Sequence, residues 1–175
     1  MNNTVCILLM LFALSICGIR ISKGIQFKQN VSGYLKRAAD ANTIKLAEEE
    51  LTKALNFLEK NDITTGHTSV LYETPDEDID FWYRNLKASQ QELQNLQSES
   101  VLEKTNLLIK LRETLLDTGE KAKVTVPDGI AVYPNNKMWA MLMFFALVVG
   151  FTGFVYFVAN EDRKSKAKVQ QSKKS

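Results

Sequence analysis

The sequence is poor in the residues that do chemistry. Its 175 residues include one histidine, His67, and two cysteines, Cys6 and Cys17. A Ser-His-Asp or Cys-His site would rest on that single imidazole, and zinc would lack its usual ligand set. There is no G-x-x-x-x-G-K-[ST] loop and no G-x-G-x-x-G turn to cradle phosphates. With these constellations absent, the chain reads as not an enzyme, with no cofactor and no metal. Both cysteines lie in the first apolar run, so nothing in the rest of the chain is stapled by a disulfide. They stand eleven residues apart, about 16 Å along a helix, too far to bridge each other; small apolar packing is their ordinary role. Proline occurs only at positions 75, 127 and 134, which leaves the first 74 residues without a helix breaker of that kind.

Charge is missing from two stretches. Residues 139–159 are 21 uncharged residues, long enough at about 1.5 Å per residue to span the roughly 30 Å hydrocarbon core of a bilayer. Trp139 and Tyr156 suit the interfacial aromatic belts, and Lys137, Arg163 and Lys164 close the run on both sides. Gly150 and Gly153 are ordinary in such a helix but are not a G-x-x-x-G pair, so they announce no dimerisation face. Residues 5–19 form the second, shorter run, about 22 Å as a helix. Two readings of it stand: an uncleaved anchor, or a signal cleaved near Ala13 and Ser15, against which the missing basic residue before Val5 counts. The tail after Ala159 carries six basic and two acidic residues, which by the positive-inside rule places the C-terminus in the cytoplasm. Residues 20–138 carry 16 basic and 18 acidic side chains, a balance that offers no basic face for nucleic acid.

The body between the runs shows helical periodicity. Phe27, Val31, Tyr34, Ala38, Ala41, Ile44, Ala47, Leu51, Ala54 and Leu58 recur three or four apart and make one seam. Asp40, Ala41, Asn42 and Thr43 could cap a new helix and divide it. A second seam runs through Ile79, Trp82, Leu86, Leu93, Leu96, Leu107, Leu111 and Leu115, weakens at Ser98, Glu99 and Ser100, and stops at Gly119. Its start reads as a capping box, with Thr74 as N-cap, Pro75 at the first helical position and Glu77 reaching back. The expected fold is all-α: a long antiparallel helical hairpin or coiled coil, its arms about 50 and 65 Å long, which carries the loop 61–73 far from the bilayer. A four-helix bundle bent at Asn42 and Ser100 is the alternative. The short β-branched runs around Pro127, Asp128 and Gly129 fit a small hairpin or an extended connector before the span. The domain plan is then 1–22 anchor or signal, 23–120 helical hairpin, 121–138 connector, 139–159 span and 160–175 basic tail.

Two local clusters could carry function. Glu73, Asp76, Glu77, Asp78 and Asp80 offer oxygens to Ca²⁺ but lack calcium-loop spacing, and acidic residues are favoured at a helix start in any case. Phe81, Trp82 and Tyr83 point three ways from one helix turn, so one narrow seam cannot take them all. Either the loop holding Val70, Leu71 and Tyr72 folds over Phe81, the favoured reading, or these aromatics, with Tyr72 and His67, receive a partner. For His67 itself a neutral turn residue is the ordinary role. The phrase Asn61, Asp62, Ile63, Thr64, Thr65, Gly66, then Thr74 to Asp78 and Phe81 to Leu86, resembles a family of uncharacterised bacterial membrane-anchored helical proteins. That resemblance implies a bacterial source, a loop and helix start that form one unit, and no known activity. The expectation is a non-enzymatic scaffold or interaction protein of the bacterial inner or plasma membrane, with its body extracytoplasmic, that meets the lipid bilayer and either its own copies or another envelope protein. Two alternatives share the plan: a regulator of surface-polysaccharide length or export, whose family it resembles in having two spans around a coiled body, and a sensor subunit without its own output domain.

Overall fold

The computed structural model describes residues 2–117 and 122–172. The chain is mostly helical, and its one sheet among the described residues has two short strands. It divides into two units, Met1–Ser22 with Lys137–Ser175, and Lys23–Asn136.

The first unit is built from helix α1 (Asn3–Phe27) up to Ser22 and from α6 (Asn136–Ser172). The helical stretches Asn3–Ala39 and Asn136–Ser172 are each long and apolar enough to cross a membrane, and only 11% of the apolar window of each is buried. Leu8, Leu14, Met141, Phe144 and Phe151 stand open, an outward apolar face that the core helix of a soluble protein would hide. Within this unit the helices run antiparallel. Asn3 donates to Glu161 Oε1 at 2.6 Å and accepts from Asn160 Nδ2 at 2.9 Å, while Cys6 lies opposite Gly153 and Ala13 opposite Gly150. Cys6, Ile16, Trp139 and Ala146, with Gly153, are buried in the pair. At the two glycines, unassigned by sequence spacing, the helices leave little room for a side chain: a Cβ on Gly153 would sit 3.1 Å from the Cys6 carbonyl oxygen, and one on Gly150 2.9 Å from the Ala13 Cβ.

In the second unit a π-helical turn, Lys28–Ser32, carries α1 into α2 (Gly33–Ala39). The chain breaks at residues 40–43, and α3 (Ile44–Lys60) begins with the Thr43 hydroxyl accepting from the Leu46 amide. α3 ends in a Schellman stop. Asp62 takes a left-handed φ of 55°, its amide bonds to Glu59, that of Ile63 returns to Leu58, and Ile63 is buried. α4 (Ile79–Asn95) and α5 (Val101–Leu115) follow, separated by a non-helical stretch at 96–100. Each expected long arm is therefore two helices, and the 50 and 65 Å coiled-coil arms are not present. The cause is local, since Thr43 offers a better start than the polar residues before it offer a continuation, and Ser98 turns its hydroxyl onto the Ser100 amide instead of holding a helical turn.

The seams nevertheless do what their spacing implied. Val31, Leu35, Ala38, Ala47, Leu51, Leu55 and Leu58 meet Ile79, Trp82, Leu86, Leu93, Leu111 and Leu115 in one core, each buried leucine contributing about 1.5 to 3 kcal/mol. Polar rungs fix the antiparallel register of α3 and α4: Gln94 to Glu48, Gln90 to Thr52 and Tyr83 to Glu59. Glu50, almost fully buried, is neutralised by Lys53 on its own helix at 2.7 Å and by Arg37 at 3.0 Å, the latter pair fastening α2 to α3.

Two further expectations change. The β-hairpin pairs β1 (Leu116–Asp117) with β2 (Lys123–Val124), so it lies ahead of the Pro127, Asp128, Gly129 turn. That turn leads instead into a 3-10 helix, Ile130–Val132, that buries Ile130 and Val132. Gly119, the expected helix stop, falls outside the described residues, but α5 already ends at Leu115. The loop after α3 does not mark the far tip of the body. Because residues 40–43 turn the chain back, Asn61 and Ile63 line one hollow with Lys23, Phe27, Ala131 and Tyr133, at the end where the chain enters and leaves this unit.

Candidate partner-binding site

The start of α4 is decided by Asp78. Thr74 does not cap it: Pro75–Glu77 is a separate 3-10 turn, and the Asp78 carboxylate accepts from the Phe81 amide at 3.2 Å as the true N-cap. The expected capping box is corrected accordingly. Thr74 and Glu77 are joined side chain to side chain, the Thr74 hydroxyl donating to the Glu77 carboxylate at 2.6 Å, and Ser69 donates to the same oxygen at 2.9 Å. Glu77 thus ties the loop to itself rather than starting the helix. The loop's return is set by backbone pairing of His67 with Asp78, through Ile79 N–H to Gly66 and Thr68 N–H to Glu77.

With α4 anchored there, steps of about 100° between consecutive residues send the three aromatics apart. Trp82 turns inward and donates its indole N–H to the Thr125 carbonyl at 2.9 Å, which holds the connector after β2 against α4. Tyr83 crosses to α3 and donates to Glu59 at 2.7 Å. Burial, then the hydrogen bond to Glu59, push the Tyr83 phenol up to about 12, and the bonds from Tyr83 and Lys87 hold the Glu59 carboxyl below its ordinary range. Phe81 is left 58% exposed. The loop does not fold over it: Leu71 and Tyr72 are themselves 89% and 75% exposed. The favoured packing reading of this loop is therefore not met.

Phe81 and Trp82 line a cleft of about 320 Å³ between the start of α4 and the connector. Asp76 and Asp78 stand on one wall, and Val126, Pro127 and Asp128 on the other. Gly129 makes the second wall possible. Its left-handed φ of 76° turns the chain after Asp128, its carbonyl accepts from Asn136 at 3.0 Å, and a Cβ there would meet the same amide nitrogen at 2.8 Å. Of the five residues expected to receive a partner, the structure brings Phe81 and Trp82 into this cleft, while Tyr83, His67 and Tyr72 do not line it. His67 is exposed on the loop. The connector side was missed by sequence reasoning, and its only signal was the turn that sets Asp128 beside Pro127. Among the described residues no group of three His, Cys, Asp or Glu side chains is placed to hold a metal ion.

Compared with protein families, with characterised proteins and with solved structures, the chain matches none. A functional reading therefore rests on the chain's own geometry.

Proposed function

We propose that this protein is a non-enzymatic interaction module of a bacterial cell envelope, held in the membrane by two helices and offering the face around Phe81 to a partner protein. The observation that carries the reading is the half-open Phe81 ring beside a concave, partly apolar cleft. Exposed aromatics next to a pocket are the usual anchors of protein interfaces. In this reading the apolar helices of the first unit both span the bilayer, and the segment at 3–22 is an anchor rather than a cleaved signal. The antiparallel pairing that joins Asn3 to Glu161 supports a topology with both ends of the pair on one side. The basic residues after Ala159 make that side the cytoplasm, and the body is extracytoplasmic. The body itself is a bent four-helix bundle of α2, α3, α4 and α5.

The test is photo-crosslinking in native membranes from a benzoylphenylalanine placed at position 81, with position 106 on the outer face of α5 as control. A discrete adduct from position 81 and none from 106 is the expected outcome. Equal labelling from both, or none from 81, would sink the proposal.

A further inference from the structure

The cleft beside Phe81 has a charge that the fold does not explain. Three carboxylates, those of Asp76, Asp78 and Asp128, line it, and no basic side chain does. The nearby acid Asp80 is paired with Arg84 at 3.0 Å and lies outside the lining. The positive end of the α4 dipole accounts for Asp76 and Asp78, because carboxylates at a helix start are favoured by about 0.3 to 1 kcal/mol. It does not account for Asp128, which comes from the connector on the opposite wall, positioned there by the Gly129 turn and the Asn136 bond. The hollow is thus lined by charge of one sign, which a cationic group would complement. Two aromatic side chains line the same cleft, Trp82 buried and Phe81 58% exposed. Carboxylates flanking aromatic faces suit a guanidinium, which pairs with carboxylates through a planar fork and stacks on rings at the same time. The volume, about 320 Å³, is at the low end for a small-ligand pocket, about 300 to 1,000 Å³, and suits one long side chain.

We infer that this cleft receives an arginine side chain of the partner polypeptide, with Asp76 and Asp128 closing on the guanidinium from opposite walls and Phe81 stacking on it. The inference rests on the reading of this face as an interaction surface and names the chemistry that the surface recognises. The Asp78 carboxylate, one oxygen of which caps α4, supports the field without leaving the helix.

The experiment uses the full chain in nanodiscs of zwitterionic phosphatidylcholine, so that no anionic lipid competes, and follows the anisotropy of a fluorescein-labelled pentapeptide, Gly-Arg-Gly-Arg-Gly. Matched peptides carry glutamine or lysine in place of arginine. Saturable binding of the arginine peptide is expected, with the lysine peptide several-fold weaker and the glutamine peptide at background. Asp76→Asn with Asp128→Asn should weaken arginine binding at least tenfold, and Phe81→Ala at least threefold. Glu103→Gln, which removes an equal charge from α5, should leave it unchanged. Phe81 and Asp128 are exposed, so these variants keep the fold, and an unchanged circular dichroism spectrum verifies it. Equal binding of the three peptides, or an equal loss in Glu103→Gln, would overturn the inference. A position-81 crosslink that persists with no arginine selectivity would leave the interaction surface standing and remove only the arginine assignment.

Discussion

Replacing Gly153 by leucine tests whether the first helix is a permanent part of the membrane unit. In the wild-type pair a mere Cβ at position 153 would lie 3.1 Å from the Cys6 carbonyl oxygen and 3.2 Å from the Leu9 Cβ. Both are inside ordinary van der Waals separation, and both neighbours are held by helical backbone. Leucine adds three more carbons in the same direction, so α1 and α6 must separate and give up the contacts around Cys6, which is fully buried. Overpacking of this kind costs about 1 to 3 kcal/mol, and loss of close backbone approach removes the main source of association between helices in lipid. The equilibrium between paired and separated helices should move by roughly fivefold to more than a hundredfold. Gly18 supplies the control, because a Cβ there meets nothing within 4 Å, so Gly18→Leu adds the same bulk without the collision. The assay is pulsed maleimide labelling of Cys6 along an SDS titration of the protein in mild detergent, with the half-buried Cys17 as internal reference. The Cys6 transition should move to lower SDS in Gly153→Leu and stay in place in Gly18→Leu. Identical shifts in the two variants, or an intact mass from native membranes that lacks the first helix, would refute the reasoning.

Two further outcomes follow from the body. Gly66 holds a φ of 98° with the Tyr133 hydroxyl packed where a side chain would begin, and that hydroxyl donates to Thr65 at 2.7 Å; Gly66→Ala should therefore destabilise the chain by about 1 to 3 kcal/mol, read as a lowered thermal midpoint, and an unchanged midpoint would contradict the closeness of loop and connector. The Tyr83–Glu59 bond sets a pH dependence at both ends. The phenol is raised to about 12 from its ordinary value of 10.0, so its contribution is complete below about pH 10 and is lost as pH climbs towards 12, whereas the lowered Glu59 carboxyl contributes above its ordinary range and loses its share on acidification. Tyr83→Phe should cost about 0.5 to 1 kcal/mol at neutral pH and flatten the alkaline arm of the stability curve measured by urea titration; an unaltered arm would mean that another group produces it.

The local patterns of the sequence were enough for class and core. Heptad-like spacing named Val31, Ala38, Leu51, Leu58, Ile79, Leu86, Leu93, Leu111 and Leu115, all of which are buried, because helical periodicity is imposed by the core that it must face. Length between caps was less legible. Thr43, Asp78 and the Ser98 turn end or start helices through single hydrogen bonds, and a seam read by apolar spacing passes over such bonds without registering them. The same limit misplaced the cap, since Thr74 and Asp78 are both good N-cap residues and only the backbone pairing of His67 with Asp78 chooses between them.

By itself the sequence determined where charge and apolar length lie, and hence two membrane-competent helices, a basic tail and a helical body whose charges nearly balance. Those are properties of neighbouring residues, which the solvent reads one segment at a time. Tertiary structure alone decided that Gly150 and Gly153 face the first helix, that the loop at 61–73 returns to the end where the chain enters and leaves the body, and that Asp128 stands across a cleft from Asp76 and Phe81. Each of these joins residues tens of positions apart, and such contacts exist only once the chain has folded back and its buried side chains have fixed the register.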